Sequence, residues 1–125
     1  MGRFRSFGPE VDNFDLARVM RNDKDPNARR AAALASTDTY DILRATKDDI
    51  VDVRTAAVLR LGELGEENEL NRMLSEYVQP DYRVRQQAAL ATCDKDNLAK
   101  ALKDPHPRVR EAACIRARDL EAAAI

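Results

Sequence analysis

The stretch Val53-Arg54-Thr55-Ala56-Ala57 returns further along the chain as Val109-Arg110-Glu111-Ala112-Ala113. The match extends outward from this phrase without a gap, because residues 23–65 align with residues 79–121. We call these two ranges the first block and the second block. Self-similarity at a fixed spacing is the signature of structural repeats that stack on their neighbours. A chain of 125 residues with this pattern therefore predicts one domain made of repeats.

Each block contains the phrase, or a close relative, twice. The four arginines of the phrase are Arg29, Arg54, Arg85 and Arg110, and the middle step is longer than the two equal outer steps. Each step fits two short antiparallel helices with two turns. Six residues before these arginines stand Asp23, Asp48, Gln79 and Asp104. Aspartate next to proline, as at Asp104-Pro105, is typical of a helix start, since its carboxylate accepts a free backbone N–H.

The composition favours closely packed helices. Charged residues make up 34% of the chain and hydrophobic residues 44%, but aromatic residues only 5%. Because no run of alternating β-branched residues indicates a strand, the sequence predicts an all-α chain. The apolar spacing predicts an N-terminal arm at residues 1–12, followed by eight helices. The predicted helices lie near residues 13–22, 26–36, 38–47, 50–64, 66–78, 81–92, 94–103 and 106–123.

The segment from Asp104 to Ala113, Asp-Pro-His-Pro-Arg-Val-Arg-Glu-Ala-Ala, resembles the opening of the second helix of a HEAT repeat. It is most similar to the short repeats of phycobilisome-lyase-like proteins and leucine-rich-repeat variants. The resemblance covers roughly residues 14–125. It implies a HEAT-like repeat domain at residues 13–125, a right-handed α-solenoid of four helical hairpins. The repeats would span approximately residues 13–36, 37–65, 66–92 and 93–125.

The resemblance also implies a ladder of hydrogen bonds between adjacent repeats. In this ladder the expected pairs are Asp23 with Arg29, Asp48 with Arg54, and Asp104 with Arg110. Gln79 before Arg85 departs from the pattern. Its amide is expected to accept the hydrogen bond there, without charge assistance.

Stacked helical repeats serve mostly as binding surfaces. The sequence therefore predicts a non-catalytic protein–protein interaction module, such as an adaptor, a scaffold or an inhibitor subunit. The resemblance implies that the second helices line the concave face of the solenoid. The side chains expected to face outward there differ from copy to copy, as expected of a specific protein-binding face. This concave row consists of Asn27, Arg30, Asp52, Thr55, Arg83, Gln86, Arg108 and Glu111.

The arm carries Arg3, Phe4, Arg5 and Phe7, and two interpretations of it stay open. Either it folds back and caps the first repeat, where each buried aromatic side chain contributes about 1.5–3 kcal/mol, or it is an extended anchor for the partner. The opposite end, Ala122-Ala123-Ala124-Ile125, has no polar capping helix, although solenoids usually need one. We therefore expect either a monomer whose last helix serves as the cap or a homodimer formed through a solenoid end.

Nucleic-acid or ribonucleoprotein binding is the first alternative function. The formal net charge is −1, so the chain as a whole is not a polycation, but its last repeat is basic. The arginines considered for phosphate contacts are Arg3, Arg5, Arg83, Arg108 and Arg118. A phosphate-tracking face should repeat Lys or Arg at matching positions, which the concave row does not do. The second alternative, an accessory subunit or a chromophore-lyase-like HEAT protein, rests on the resemblance alone.

Signals for catalysis are weak, and we expect no enzyme. His106 is the single histidine and lies between two prolines in an expected turn. Cys93 and Cys114 do not form a closely spaced metal motif, so neither a metal nor another cofactor is expected. Two cysteines and no signal peptide predict a cytoplasmic protein with small buried thiols. No stretch is long and apolar enough to cross a membrane.

Overall fold

The computed structural model describes residues 12–124. Within this range the chain is all-helical, with eight helices and no strand, which confirms the predicted all-α class. In chain order the helices are α1 (Asn13–Asn22), α2 (Pro26–Ala35), α3 (Thr39–Ala45), α4 (Val51–Glu63), α5 (Glu67–Met73), α6 (Tyr82–Ala91), α7 (Lys95–Ala101) and α8 (Pro107–Ala123). The arm predicted at residues 1–12 lies outside the described residues, except for Asp12, which caps α1.

Most helices begin at a side chain that accepts a backbone N–H of the first turn. Asp12, Asp25, Asp38, Asp81 and Asp94 do this with a carboxylate. The His106 ring does the same for α8. Such caps satisfy N–H groups that have no partner inside the helix. The local sequence therefore sets where these six helices start.

One predicted helix end is wrong. The prediction extends helix α5 to residue 78, but the helix ends at Met73. The chain then turns, because the Ser75 hydroxyl accepts the Tyr77 N–H at 3.2 Å and the Ser75 carbonyl accepts the Gln79 N–H at 2.8 Å. The extra residues of the long middle step are thus divided between this turn and α4, which continues from Arg54 to Glu63 whereas α2 continues only from Arg29 to Ala35.

The even-numbered helices form one layer, in which α2 contacts α4, α4 contacts α6, and α6 contacts α8. Among the odd-numbered helices, α1 contacts α3 and α5 contacts α7. However, no Cα of α3 lies within 8 Å of a Cα of α5. A single core connects the two layers, and its largest fully buried apolar side chains are Ile42, Val53, Val58, Leu61, Leu70, Val84 and Val109.

Helices α4 and α6 approach each other closely at Gly62. A Cβ added to Gly62 would lie 2.7 Å from the Cβ of Ala91 and 3.3 Å from its carbonyl oxygen. Neither atom belongs to a flexible side chain, so the two helices would have to separate. Position 62 therefore requires glycine for close packing.

Gly62→Ala is expected to lower the free energy of unfolding. Overpacking typically costs about 1–3 kcal/mol, whereas alanine in place of glycine in a helix contributes about 1 kcal/mol in its favour. Denaturant unfolding should therefore show a net loss, and Ala91→Gly in the same chain should recover part of it. Arg118, the counterpart of Gly62 in the second block, is exposed on α8 and offers the matched control. Arg118→Ala should leave stability unchanged. A Gly62→Ala variant more stable than wild type would contradict the close approach.

Candidate functional site

The arginines of the repeated phrase connect neighbouring helix pairs. Arg29 donates from Nε and Nη2 to the carboxylate of Asp48, at 2.9 and 3.1 Å, and from Nη1 to the carbonyl of Asp23, at 2.8 Å. Arg85 repeats this pattern in the second block. It donates to the carboxylate of Asp104 at 2.8 and 3.0 Å and to the carbonyl of Gln79 at 2.8 Å. The internal repetition of the sequence is therefore reproduced in these hydrogen bonds.

These contacts correct the pairing that the HEAT resemblance implies. Each arginine does reach the residue six positions before it, but through the main-chain carbonyl of Asp23, Asp48, Gln79 or Asp104. The carboxylate that Arg29 or Arg85 binds lies 19 residues later, beyond the next odd-numbered helix. The Asp23 carboxylate instead accepts the N–H of Asp25 at 2.9 Å. The side-chain pairing is therefore between helix pairs and not within one.

Ionisation of these aspartates is favoured in the folded state. Burial opposes ionisation of Asp48, but hydrogen bonds from Arg29 and from the Ile50 N–H outweigh it, so the pKa of Asp48 is lowered. The pKa of Asp104 is lowered in the same way, against burial, by hydrogen bonds from Arg85 and from the His106 N–H. Ionised carboxylates that accept several hydrogen bonds are stabilised by the fold.

Gln79 departs from the aspartate pattern because its side chain must donate. It is buried, and its Nε2 donates to the Thr46 carbonyl at 3.0 Å and contacts the Met73 sulfur at 3.5 Å. Aspartate has no N–H to offer at this position. The expectation that the side-chain amide of Gln79 accepts a hydrogen bond from Arg85 is therefore wrong. Arg85 donates to the main-chain carbonyl of Gln79 instead.

Because position 79 is a glutamine, Arg54 pairs with the carboxylate of Asp81, two residues after Gln79. Its Nη2 donates to Asp81 at 2.9 Å, and Arg83 also donates to Asp81, at 3.0 and 2.8 Å. The hydrogen bonds from Arg83, followed by those from its N–H and from Arg54, lower the pKa of Asp81 to about 2 against the effect of burial. Asp81 thus stabilises the fold above about pH 3.9, the pKa of a free aspartate, and this contribution is lost as the pH falls towards about 2.

The concave row lies at one register of the even-numbered layer. Asn27, Asp52, Arg83 and Arg108 are the second residues of α2, α4, α6 and α8, and the other four members follow three residues later. Thr55 and Gln86 are half-buried, and the other six are exposed. Asp52 lies close enough to Arg83 to contribute, after Asp81, to raising the pKa of Arg83. The row is therefore accessible, but Arg83 is already engaged. The arm residues Arg3, Phe4, Arg5 and Phe7 lie outside the described residues.

A slot between α3 and α5 is the site that the sequence reasoning missed. It has a volume of about 260 Å³. Its lining residues are Tyr40, Leu43, Arg44, Thr46, Lys47, Arg72, Met73 and Val78. We call this the α3–α5 slot. The only signal in the sequence is the middle step from Arg54 to Arg85, which is longer than its neighbours.

Hydrogen bonds hold the two walls of the α3–α5 slot together at both of its ends. At one end the Thr39 hydroxyl donates to the Glu66 carboxylate at 3.0 Å. At the other end Gln79 donates to the Thr46 carbonyl. Between these two hydrogen bonds no Cα of α3 lies within 8 Å of a Cα of α5. The hydrogen bonds thus hold the two walls in place on either side of the slot.

The walls of the slot are unusually exposed for apolar side chains. Tyr40 is 67% exposed and Val78 is 40% exposed, and Tyr77, the neighbour of Val78, is 92% exposed. Contiguous exposed apolar surface indicates an interaction site, whereas scattered single residues do not. Arg44, Lys47 and Arg72 place positive charge around this surface, and none of the described residues lining the slot carries a carboxylate.

The basic C-terminal repeat is less free than its composition indicates. Arg110 donates to the carbonyls of Asp104 and Pro105, and Arg116 donates to the carbonyl of Thr92 at 2.8 Å. Arg60, the counterpart of Arg116 in the first block, makes the matching bond to the Ser36 carbonyl at 2.8 Å. Arg108 and Arg118 are exposed and form no ion pair with residues 12–124. Of the four arginines in this repeat, only Arg108 and Arg118 therefore remain available to contact a partner.

The single histidine has a structural position. The Nδ1 of His106 accepts the Arg108 N–H at 3.1 Å, which caps α8. Its ring stacks on Tyr82, with the ring centroids 3.7 Å apart and the planes 3° from parallel. His106 therefore joins the starts of α6 and α8.

The predicted burial of the thiols is wrong, since Cys93 and Cys114 are both exposed and free. Cys93 follows the end of α6, and Cys114 lies on the exposed side of α8. The Cys93 sulfur accepts a hydrogen bond from Arg116 at 3.2 Å. Among residues 12–124, no group of three or more His, Cys, Asp or Glu side chains is arranged to hold a metal ion. No helix in this part of the chain is long and apolar enough to span a membrane.

Comparisons of the chain with protein-family models, with curated proteins and with solved structures found no match.

Proposed function

We propose that this chain is a non-catalytic protein-binding module, serving as an adaptor, a scaffold or an inhibitor subunit. Its architecture in this proposal is a right-handed stack of four HEAT-like helical hairpins. The partner binds through the α3–α5 slot, and the concave row from Asn27 to Glu111 is the second contact surface.

The observation that carries this proposal is the α3–α5 slot, in which two exposed apolar side chains, Tyr40 and Val78, line one cavity. Other apolar side chains of α3 and α5, such as Ile42 and Leu70, are fully buried. Tyr40 and Val78 belong to neither the buried core nor the apolar side chains packed against it, so filling the core does not explain why these positions are apolar. Tyrosine is also enriched at interfaces, where its ring buries a large area and its hydroxyl finds a partner.

The concave row supports the same function less directly. Its members are accessible and differ from helix to helix, which suits recognition of one shaped partner. Arg83 contributes less than expected, because Asp81 holds its guanidinium with two hydrogen bonds. Nucleic-acid binding is the weaker proposal, because Arg83, Arg110 and Arg116 are engaged within the fold and the net charge is −1.

The test is an affinity capture from host lysate with nuclease treatment, in which wild type is compared with Tyr40→Ala/Val78→Ser. The matched control is Phe14→Ala/Ile115→Ala, because these side chains are 71% and 40% exposed and lie outside the slot. We expect to recover a partner protein whose capture resists nuclease treatment. The control variant should still capture this protein, and the slot variant should not. A protein lost only when row residues such as Asn27 and Gln86 are replaced would assign binding to the row. Recovery that collapses with nuclease for every variant would overturn the protein-binding function.

A further inference from the structure

We infer that the α3–α5 slot takes a short acidic segment of a partner protein, which inserts apolar side chains between the two helices. This inference rests on the proposed protein-binding function and adds the chemistry of the partner. It follows from the size of the slot, from its charge and from its rigid ends.

The size of the slot fits side chains and not a small molecule. Its volume of about 260 Å³ lies below the range of roughly 300–1,000 Å³ that is usual for small-molecule pockets. The exposed flanks at Tyr40 and Val78 leave it open along its side, so a bound group can remain attached to a chain outside. Leu43 and Met73 supply an apolar interior for the inserted side chains.

The charge around the slot selects an acidic segment. Arg44 and Lys47 form no ion pair with any described residue, and Arg72 contacts only Glu69, at 3.3 Å. Two carboxylates near α3 are already paired, because Asp41 binds Arg21 and Asp48 binds Arg29, whereas Asp49, which shares a cavity with Lys47, forms no ion pair with a described residue. Three cations therefore surround an apolar surface on a chain whose net charge is −1. Complementary charge of this kind steers association and excludes partners of the wrong sign.

Helix dipoles alone do not explain this arrangement. Arg44 and Arg72 lie in the last turns of α3 and α5, where a cation is favoured in any helix. The same effect favours Lys47, which directly follows the C-cap Thr46, but it does not account for the exposed Tyr40 and Val78 that line the same cavity. The N-terminal arm is a poor occupant by charge, because Arg3 and Arg5 balance Glu10 and Asp12, so residues 1–12 offer no net negative charge to a positive rim.

The test is a selection from a random peptide library against the full chain, with counter-selection against Tyr40→Ala/Val78→Ser. We expect the enriched peptides to be acidic and to carry at least two apolar residues. One of the enriched peptides is then synthesised and its binding is measured by fluorescence anisotropy. Arg44→Glu/Lys47→Glu should weaken the affinity for this peptide by at least about tenfold, the scale of an interface hot spot. Lys24→Glu/Arg118→Glu makes the same change in net charge at exposed sites outside both the slot and the concave row, and it should leave the affinity for the peptide unchanged. Raised salt should weaken binding to wild type.

Several results would overturn the inference. These are enriched peptides that are neutral or basic, no enrichment over the counter-selected variant, or equal losses from the two charge-reversed variants. Displacement of the peptide by a synthetic peptide of residues 1–12 would assign the slot to the arm. If the captured protein depends on Tyr40 and Val78 but not on Arg44 and Lys47, the proposed function stands and the acidic partner is wrong. All the variants change exposed side chains, and circular dichroism confirms that each is folded before binding is compared.

Discussion

Arg85→Ala is expected to lower the free energy of unfolding by about 3–5 kcal/mol, because it leaves a buried carboxylate without its cation. The side chains of Arg85 and Asp104 are only 4% and 3% exposed, so water cannot replace the two lost hydrogen bonds. The variant also leaves the Gln79 and Pro80 carbonyls without the donor that serves both. Urea unfolding followed by far-UV circular dichroism measures the loss.

Two further variants separate the ion pair from simple loss of packing. In the wild-type chain the Asp104 carboxylate accepts the His106 N–H at 2.9 Å. Asp104→Asn keeps an oxygen that can accept this hydrogen bond but removes the charge. Adding it to Arg85→Ala should therefore recover part of the lost stability. Arg29→Ala removes the equivalent contacts in the first block, where the paired side chains are 15% and 11% exposed, and should cost less. Equal losses for Arg29→Ala and Arg85→Ala would contradict the role of burial.

Gln79→Glu is expected to lower the free energy of unfolding by about 1–3 kcal/mol at neutral pH, because a buried carbonyl loses its donor and faces a carboxylate. The size of the side chain hardly changes, so packing does not explain the effect. The Thr46 carbonyl at the end of α3 and the Met73 sulfur surround the new group. Thermal melts over a pH series measure the change.

The pH dependence of this variant has a definite sign. Burial beside a carbonyl favours the protonated acid, so the folded-state pKa of the introduced carboxyl lies above the value of about 4.3 of free glutamic acid. A raised pKa means that the destabilisation is smallest below about pH 4.3 and grows as the pH rises through the folded-state value. Gln79→Met removes the donor without adding a charge. Its loss of stability relative to wild type should therefore not change with pH. A variant as stable as wild type at neutral pH would show that Gln79 is not the donor.

The helix starts were predictable to within about one residue, because the apolar spacing depends only on nearby residues. The cap expected at Asp104 was wrong, because the His106 ring caps α8 and the Asp104 carboxylate binds Arg85. The arginines Arg29, Arg54 and Arg85 were also identified as connectors between repeats. Their carboxylate partners were not, because these lie 19 or 27 residues away, and distance along the chain does not reveal which turn faces which arginine.

The departure at Gln79 shows the same limit. The residues at the matching positions of the other repeats are aspartates. Comparison within the chain therefore predicted that Gln79 accepts the same hydrogen bond as an aspartate, but more weakly. The structure instead assigns it a donor bond to Thr46, 33 residues earlier. That bond exists only because α3 and the turn after α5 meet in space.

The sequence by itself determined the all-α class, the number and order of the helices and the spacing between the two blocks. The class and the helices depend on neighbours within one or two helical turns, so local chemistry suffices. The tertiary structure alone decided which carboxylates Arg29, Arg54 and Arg85 bind, that Gly62 lies directly against Ala91, and that the Cα atoms of α3 and α5 stay more than 8 Å apart. These features depend on how helices distant in sequence pack against one another, and no local pattern reports that packing.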